Sequence, residues 1–547
     1  MSTRFTALTI KEGDAFLLED DGWNCLFDSG IDESTVDLLR YKEIDILNLA
    51  ICSHNDADHA NGFIELLESS LEIDEIWLPY WWASILDYSN NHDIDWEEIE
   101  DVMKKMNKSK IRNADPGSFF SDEHEPLTDE AFDGVLSKLA QRYRQEQNAK
   151  LRHSLYHFIK SCLDKKLEKR LDKELSDLSK KEDFDLNELA HSIKIGIANT
   201  IDSQLSDENL DRIVNEIAQR LADIIINSRI DESIGITVRQ IVQDSVYSFV
   251  DENSQAISQI IESRLNGNLN QSNTVDIAHK LTPDLVLDIV NTLTDKLSKY
   301  LIQRATIYLK DFTNSWPAYE RNCLYHDLRR DCIRFFLKYE EKNKADNKDN
   351  NSSIMFNNIM EIAVLAHERN CTIKWFEPMR SCVINPKPYC DFLALNSTLK
   401  RQVQRLKNVN TFAFALYLTE VNQYSLVFEY LKDGIPILRF SADSDSTCQS
   451  QNPYPENIIV TAPHHGAKAN AKVYSAIQGD DIIWVRSDKI SGNQGRPCDV
   501  FKSMKNKYCL ACETYNFESE ICFEYDSWLK QWHHVRGERC RCKGINN

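Results

Sequence analysis

Nowhere in the 547 residues is there an uninterrupted apolar run of about 18, roughly the length a membrane span needs. No transmembrane helix, and no membrane partner, is therefore predicted. The opening residues Met1-Ser2-Thr3-Arg4-Phe5 lack the basic-then-apolar profile of a secretion signal. The expectation is a cytoplasmic protein whose 15 cysteines are mostly reduced thiols. Positive charge is also short: 64 Lys and Arg stand against 86 Asp and Glu, a net charge of −22. Such a surface repels polyanions on average, which counts against tight, sequence-independent DNA binding by the whole chain but leaves a local basic groove open. Glycine is scarce too, at 16 residues, and that scarcity points to no function. What is present suffices for folding: 42% of the residues are hydrophobic, in a chain too long for one compact core. Two or three domains are expected.

Along the chain the character changes twice. Residues 6–10, 13–19 and 23–30 read as short strands, 31–42 as a helix, Ile44 to Ile51 as a buried strand, 63–70 as a helix and Glu75 to Pro79 as another strand. Alternation of strand and helix points to a layered α/β domain. From 95 to 352 strand signals vanish and helix formers carry apolar residues at three- and four-residue spacing, as in Leu136 to Ile159, Leu210 to Ile226 and Leu285 to Ile307. This is an all-α insertion without a fixed repeat. Its stretch 138–181 holds 13 Lys or Arg and 6 Asp or Glu, a net of +7. Two readings of that stretch stand, a solvated helix face and a surface for nucleic acid or a protein partner. After a Lys-, Asp- and Asn-rich linker, Ile359 to His367 reads as a helix. Cys371 to Phe376, Phe412 to Thr419, Tyr424 to Leu431 and Ile435 to Phe440 read as strands, and Tyr508 to Asn516 with Glu520 to Tyr525 as a terminal hairpin. The expected division is 1–94 and 353–531 for the two parts of the α/β domain, 95–352 for the insertion and 532–547 for a tail.

Chemistry concentrates at the ends of three strands. His54-Asn55-Asp56-Ala57-Asp58-His59 puts four potential ligands in a six-residue loop at the C-terminal end of a strand, where open α/β sheets commonly carry their sites. Imidazole and carboxylate together suit zinc, manganese or iron. The plainer alternative is a polar loop whose Asp58 caps the next helix. Ile437-Leu438-Arg439-Phe440-Ser441-Ala442-Asp443 ends a second strand in an acid, and Val460-Thr461-Ala462-Pro463-His464-His465-Gly466-Ala467-Lys468 ends a third in paired histidines.

Taken together and in this order, the three motifs resemble the metallo-β-lactamase fold, an αββα sandwich. The Asp at 56, where a histidine is common, resembles the ComEC-type subgroup. The turn Gly13-Asp14-Ala15 and the ending Leu26-Phe27-Asp28-Ser29-Gly30 resemble that subgroup's opening hairpin. The resemblance covers roughly 5–85 and 355–525 and nothing in the helical insertion. It implies two divalent ions, Zn²⁺ or Mn²⁺. His54 and Asp56 would face one ion, Asp58 and His59 the other. Asp443 would bridge them, and His464, His465 or both would complete the set. Two cations a few ångströms apart repel, so an anionic bridge is required. Coordination also brings the pKa of water toward neutrality. Asp58 would orient the attacking water, and Lys468 either neutralises phosphate charge or is a surface lysine.

Two departures from the family pattern bear on the first ion. The usual third histidine has no counterpart better than His367, and a Gly-His-Pro-His element is replaced by Gly495-Arg496-Pro497-Cys498. A weak first site, a single-ion site, a degenerate structural site and Cys498 as a soft ligand all remain open. Other features read more plainly. Cys509, Cys512, Cys522, His533, His534, Cys540 and Cys542 could make a zinc site, but an extended strand sends 509 and 512 to opposite faces, which favours buried thiols. His153 and His157 lie one helical turn apart without a third ligand. Trp77, Tyr80, Trp81 and Trp82 are either a stacking platform for a base or packing.

The resemblance implies a metal-dependent phosphodiester hydrolase, foremost a nuclease acting on a nucleic acid. It also fits a multi-component bacterial defence system in which the insertion or a partner controls the enzyme. A small-nucleotide phosphodiesterase is the second reading, and a regulatory scaffold binding partner proteins through the insertion is the third.

Overall fold

The computed structural model describes residues 3–109, 124–163, 167, 170, 186–204, 207–227, 234–266, 271–310, 324–325, 327–335, 351–379, 381–406, 411, 414–415, 418, 424–488, 496–512 and 520–542. The chain forms two compact units, Met1–Tyr143 with Asp349–Asn547, and Arg144–Lys348.

The first unit is mixed α/β with two large sheets. Within Ile46–Ile51 the last three residues alternate, Leu49 and Ile51 entering one core and Ala50 the opposite one, where Leu47 also packs. That strand lies within a nine-stranded sheet running Gln531–Arg536, Ile521–Asp526, Thr3–Ala7, Phe16–Asp20, Trp23–Phe27, Ile46–Ile51, Glu72–Pro79, Thr372–Pro378, Ser397–Lys400. A six-stranded sheet runs Lys507–Cys509, Ile483–Arg486, Ile459–Thr461, Ile435–Phe440, Phe428–Lys432, Phe392–Ala394. Aromatic rings from the two sheets meet in one core: Phe27 stacks on Phe440 with centroids 4.5 Å apart, and Trp77 lies 5.1 Å from Phe428. On the other face of the larger sheet, Phe63, Leu66 and Leu67 of the helix Ala57–Glu68 share a core with Ile359, Ile362 and Ala363 of the helix Asn351–Glu368. Val473 and Phe501 belong to a further core with Val460 and Trp484 of the smaller sheet.

Several elements depart from the sequence-based expectations. The helix after the His/Asp loop begins at Ala57, not Phe63, so Asp58 and His59 lie in its first turn. Phe414, Ala415 and Leu418, the described part of the expected strand Phe412 to Thr419, are helical. Phe414 and Leu418 recur at helical spacing and are buried, Phe414 against Trp96 and Phe356, so tertiary packing overrides the strand preference of the aromatics. The expected terminal hairpin is divided. Lys507–Cys509 pairs with Ile483–Arg486, whereas Ile521–Asp526 pairs with Thr3–Ala7 and Gln531–Arg536. Residues assigned by periodicity to the insertion, including Ile99, Met103, Phe132, Leu136 and Leu139, pack in the first unit's core. One disulfide, Cys382–Cys448, joins positions 66 apart; eleven other described cysteines are free.

The second unit is helical and has its own core, drawn from Leu186–Gln204, Asp207–Asn227, Ile234–Glu252, Ser254–Leu265 and Gln271–Lys310. Buried Arg304 pairs with Asp331 at 3.0 Å. No described helix is long and apolar enough to cross a membrane.

Two glycines let the opening hairpin reach the His/Asp loop. Gly13, with φ +98°, leaves no room for a side chain: a Cβ would fall 1.6 Å from the Asp58 carbonyl oxygen. At Gly62 a Cβ would fall 2.1 Å from the Ser29 carbonyl oxygen. Because a main-chain oxygen cannot swing aside, Gly62→Ala is expected to cost about 1–3 kcal/mol through forced displacement of the helix. Denaturant unfolding followed by tryptophan fluorescence checks this, and an unchanged midpoint would contradict it.

Candidate metal centre

The centre lies where four chain segments end side by side. His54 follows the strand Ile46–Ile51, Asp58 and His59 open the next helix, Asp443 follows Ile435–Phe440, and His465 follows Ile459–Thr461. Asp56 occupies the N-cap position with extended backbone, yet its side chain does not cap the helix. It turns instead toward His54, whose Nε2 lies 3.7 Å from Asp56 Oδ2.

Hydrogen bonds fix how each histidine presents itself. Ser53 Oγ donates its single proton to Asp28 Oδ2 at 2.8 Å and so accepts from His54 Nδ1, also at 2.8 Å. The His54 proton is thereby on Nδ1, which leaves a lone pair on Nε2. His59 Nδ1 donates to Asp28 Oδ2 at 2.8 Å, and His465 Nδ1 donates to Asp14 Oδ1 at 3.0 Å. The Nε2 atoms of His59 and His465 face each other at 3.1 Å. His59 Nε2 lies 3.1 Å from Asp443 Oδ1, and His465 Nε2 lies 3.1 Å from Asp58 Oδ2 and 3.7 Å from Asp443 Oδ1. His54 Nε2 lies 3.7 Å from Asp443 Oδ2.

These separations, 3.1–3.7 Å, bracket those of ligands on a shared ion, since bonds of about 2.0–2.2 Å at tetrahedral angles hold ligand atoms about 3.3–3.6 Å apart. Polar satisfaction gives the same answer. His54 Nε2 and Asp14 Oδ2 are buried without a hydrogen-bond partner. An unmet buried polar group costs about 1–3 kcal/mol, a penalty that a cation removes at His54. The buried group Asp14, His59, Asp443 and His465 can hold a metal ion, and His54, Asp56 and Asp443 form a second convergent group. Asp443 belongs to both.

Charge in the centre is concentrated and mutually compensating. Burial alone would lower His59, but the Asp443 and Asp28 carboxylates outweigh it and hold the imidazole well above its ordinary range. Burial is likewise outweighed at His465, which Asp14 and Asp443 push up to about 10. Burial alone would raise Asp443 and Asp58; neighbouring histidines hold both well below the carboxylate range. Part of the structure is also conformationally costly. Ala442, His464 and His465 have φ of 45°, 49° and 51°, a left-handed conformation that non-glycine residues seldom adopt. Arg486 Nε holds the His465 carbonyl at 2.7 Å, and the Cys498 amide holds that of Gly466 at 2.8 Å.

Not every expected residue joins the cluster in the expected way. His464 Nε2 comes within 3.3 Å of Asp443 Oδ2 but accepts a hydrogen bond from Arg496 Nη2 at 2.5 Å. Burial, the largest cause, and the Arg496 cation outweigh the pull of Asp443 and lower the His464 pKa. Lys468 is exposed and, among the described residues, makes none of the cluster's hydrogen bonds or ion pairs. His367 contacts Ser137 Oγ at 3.2 Å on the helix Asn351–Glu368 and does not supply a third histidine. Cys498 is buried in a separate apolar core and belongs to none of the convergent groups found among the described residues. Trp77, Tyr80 and Trp82 are buried, and Trp81 packs against the same core as Trp82, so these rings are packing and not a stacking platform. His153 is exposed; the side chain of His157 lies outside the described residues.

Sequence reasoning assigned no role to Asp14, Asp28, Ser53 or Arg496. A signal existed for the two acids, each in a turn that abuts a strand of the opening hairpin, but hydrogen bonding behind a histidine has no sequence spacing. No family model matches the chain, and no curated protein matches it.

Because Asp28 orients His59 directly and His54 through Ser53, Asp28→Asn is expected to weaken divalent-metal binding about 10–100-fold. Competition with a chromogenic chelator measures this, and wild-type affinity in the variant would contradict it.

Proposed function

We propose that this protein is a metal-dependent phosphodiester hydrolase on the αββα metallo-β-lactamase framework of ComEC-type proteins, acting foremost on nucleic acid. One observation carries the reading: the Nε2 atoms of His54, His59 and His465 converge on Asp443 while each Nδ1 is committed to an oxygen behind it. Two Zn²⁺ or Mn²⁺ ions suit this donor set, with His54 and Asp56 serving one, Asp58, His59 and His465 the other, and Asp443 between them. When bound, such ions supply Lewis acidity and an acidified water.

The protein's own contribution is position and charge. The histidines are locked by Asp28, Asp14 and Ser53, so little reorganisation accompanies reaction. Asp56 and Asp58 are partly exposed, at 31% and 21% of their side chains, and form the solvent-facing rim. Asp58, a carboxylate held ionised by its histidine neighbours, is suited to accept a hydrogen bond from the attacking water and orient it toward phosphorus. As the water oxygen bonds to phosphorus and the ester P–O bond breaks, the water's proton ends on the leaving oxygen. Arg496, held beside His464, offers a cation to a phosphoryl oxygen.

A second reading, a small-nucleotide phosphodiesterase, draws support from the second unit. Arg170, in the basic stretch, is already engaged by Asp288 at 2.7 Å and by Asp284. Lys165, Lys166, Lys169 and Lys173 lie outside the described residues.

Purified protein is expected to carry divalent metal in the His/Asp centre and to cleave DNA or RNA when supplemented with Mn²⁺ or Zn²⁺. Asp58→Ala/His59→Ala should lose that metal and reduce cleavage to background. Metal with cleavage of small phosphodiesters alone would favour the second reading. Absence of metal from the centre would contradict both.

A further inference from the structure

Four cysteines distant from the His/Asp centre in sequence meet in the first unit. Cys509 ends the strand Lys507–Cys509 and points into the core with Val460 and Trp484, opposite to Tyr508. The chain then turns through the 3₁₀ segment Leu510–Cys512, which brings Cys512 back beside Cys509. A continued strand would have separated them, and that is why the sequence pattern favours isolated buried thiols. The second pair arrives on the last described segment. Tyr508 bridges Arg539, and the Cys540 amide donates to the Lys507 carbonyl at 2.9 Å, which sets Cys540 and Cys542 against the turn.

All four Sγ atoms lie within 4.8 Å of one another. Cys512 Sγ is 3.8 Å from Cys540 Sγ and 3.4 Å from Cys542 Sγ. A disulfide would need about 2.05 Å. Tetrahedral zinc with Zn–S bonds of about 2.3 Å sets its sulfurs about 3.8 Å apart. Ligand spacing agrees, as C-x-x-C on a tight turn faces C-x-C on a crossing segment, and three of the four thiols are only half-buried. The surroundings suit an anionic cluster. Arg486, fully buried, donates Nη1–H to Cys509 Sγ at 3.2 Å, the Arg541 backbone amide hydrogen-bonds Cys512, and Arg539 and Arg541 alternate with the last two cysteines.

We infer that Cys509, Cys512, Cys540 and Cys542 form a structural tetrathiolate zinc site, separate from the His/Asp centre. Four thiolates and one Zn²⁺ leave a net charge of −2, beside which stand Arg539, Arg486, shared with Asp488 at 2.6 Å, and Arg541, paired with Glu538. Four protein ligands close the coordination sphere, so the site is structural and not catalytic. Its position has a consequence for the other centre. Arg486 Nε grips the His465 carbonyl while Nη1 contacts Cys509, so one guanidinium spans the thiolates and the strained histidine turn.

The test uses the full chain in two variants and needs no enzymatic activity. In His59→Ala/Asp443→Asn, which disables the His/Asp centre, one equivalent of zinc should remain and be released by an organomercurial. In Cys512→Ser/Cys542→Ser that equivalent should be lost. Cobalt-substituted wild type should show a thiolate-to-cobalt charge-transfer band in the near ultraviolet with strong tetrahedral visible bands, which a nitrogen and oxygen site cannot give. That measurement decides the matter even when the cysteine variant fails to fold. Unchanged zinc in a folded cysteine variant, no sulfur charge transfer, iron in place of zinc, or these four thiols found in disulfides would each overturn the inference.

Discussion

The carboxylate of Asp28 is wholly buried and accepts three hydrogen bonds, from the Ser53 amide, from Ser53 Oγ and from His59 Nδ1. A buried carboxylate is costly unless its lone pairs are met, and here the donors that meet them are the groups that aim the centre. Asp28 determines where the proton sits on His59 directly and on His54 through Ser53. Asp14 does the same for His465. Three imidazoles therefore arrive with Nε2 forward because two acids stand behind them. The left-handed turns at Asp28 and at His464–His465 are tolerated because this network and Arg486 hold their backbones from several sides.

The fold serves this arrangement through strand ends. Two sheets sharing an aromatic core bring the C-terminal ends of Ile46–Ile51, Ile435–Phe440 and Ile459–Thr461 together. The close approach at Gly13 and Gly62 brings the opening hairpin, and with it Asp14 and Asp28, up behind the histidines. A four-cysteine cluster and a dense His/Asp cluster at the strand ends share Arg486 as a common strut. The second unit contributes none of these residues.

Much of this was legible in the sequence where a local rule operates. Short apolar runs marked Ile46–Ile51 and Ile435–Phe440, and ligand density marked His54 through His59. Reading failed where a non-local contact decides. Phe414 and Leu418 have strand-like composition but lie in a helix against Trp96 and Phe356. The helix starts at Ala57, inside the loop, with Asp56 and not the expected Asp58 at its N-cap position. Cys509 and Cys512 were separated by assuming that a strand continues, whereas the chain turns after Cys509. Asp14 and Asp28 carry no spacing signal, because their partners come from elsewhere in the chain.

Anomalous diffraction at the manganese edge, from crystals grown with Mn²⁺, tests the central claim most directly. The account predicts two peaks flanking the Asp443 carboxylate, one against His54 and Asp56 and one against Asp58, His59 and His465. No peak within reach of Asp443, with histidines hydrogen-bonded only to the surrounding acids, would contradict it.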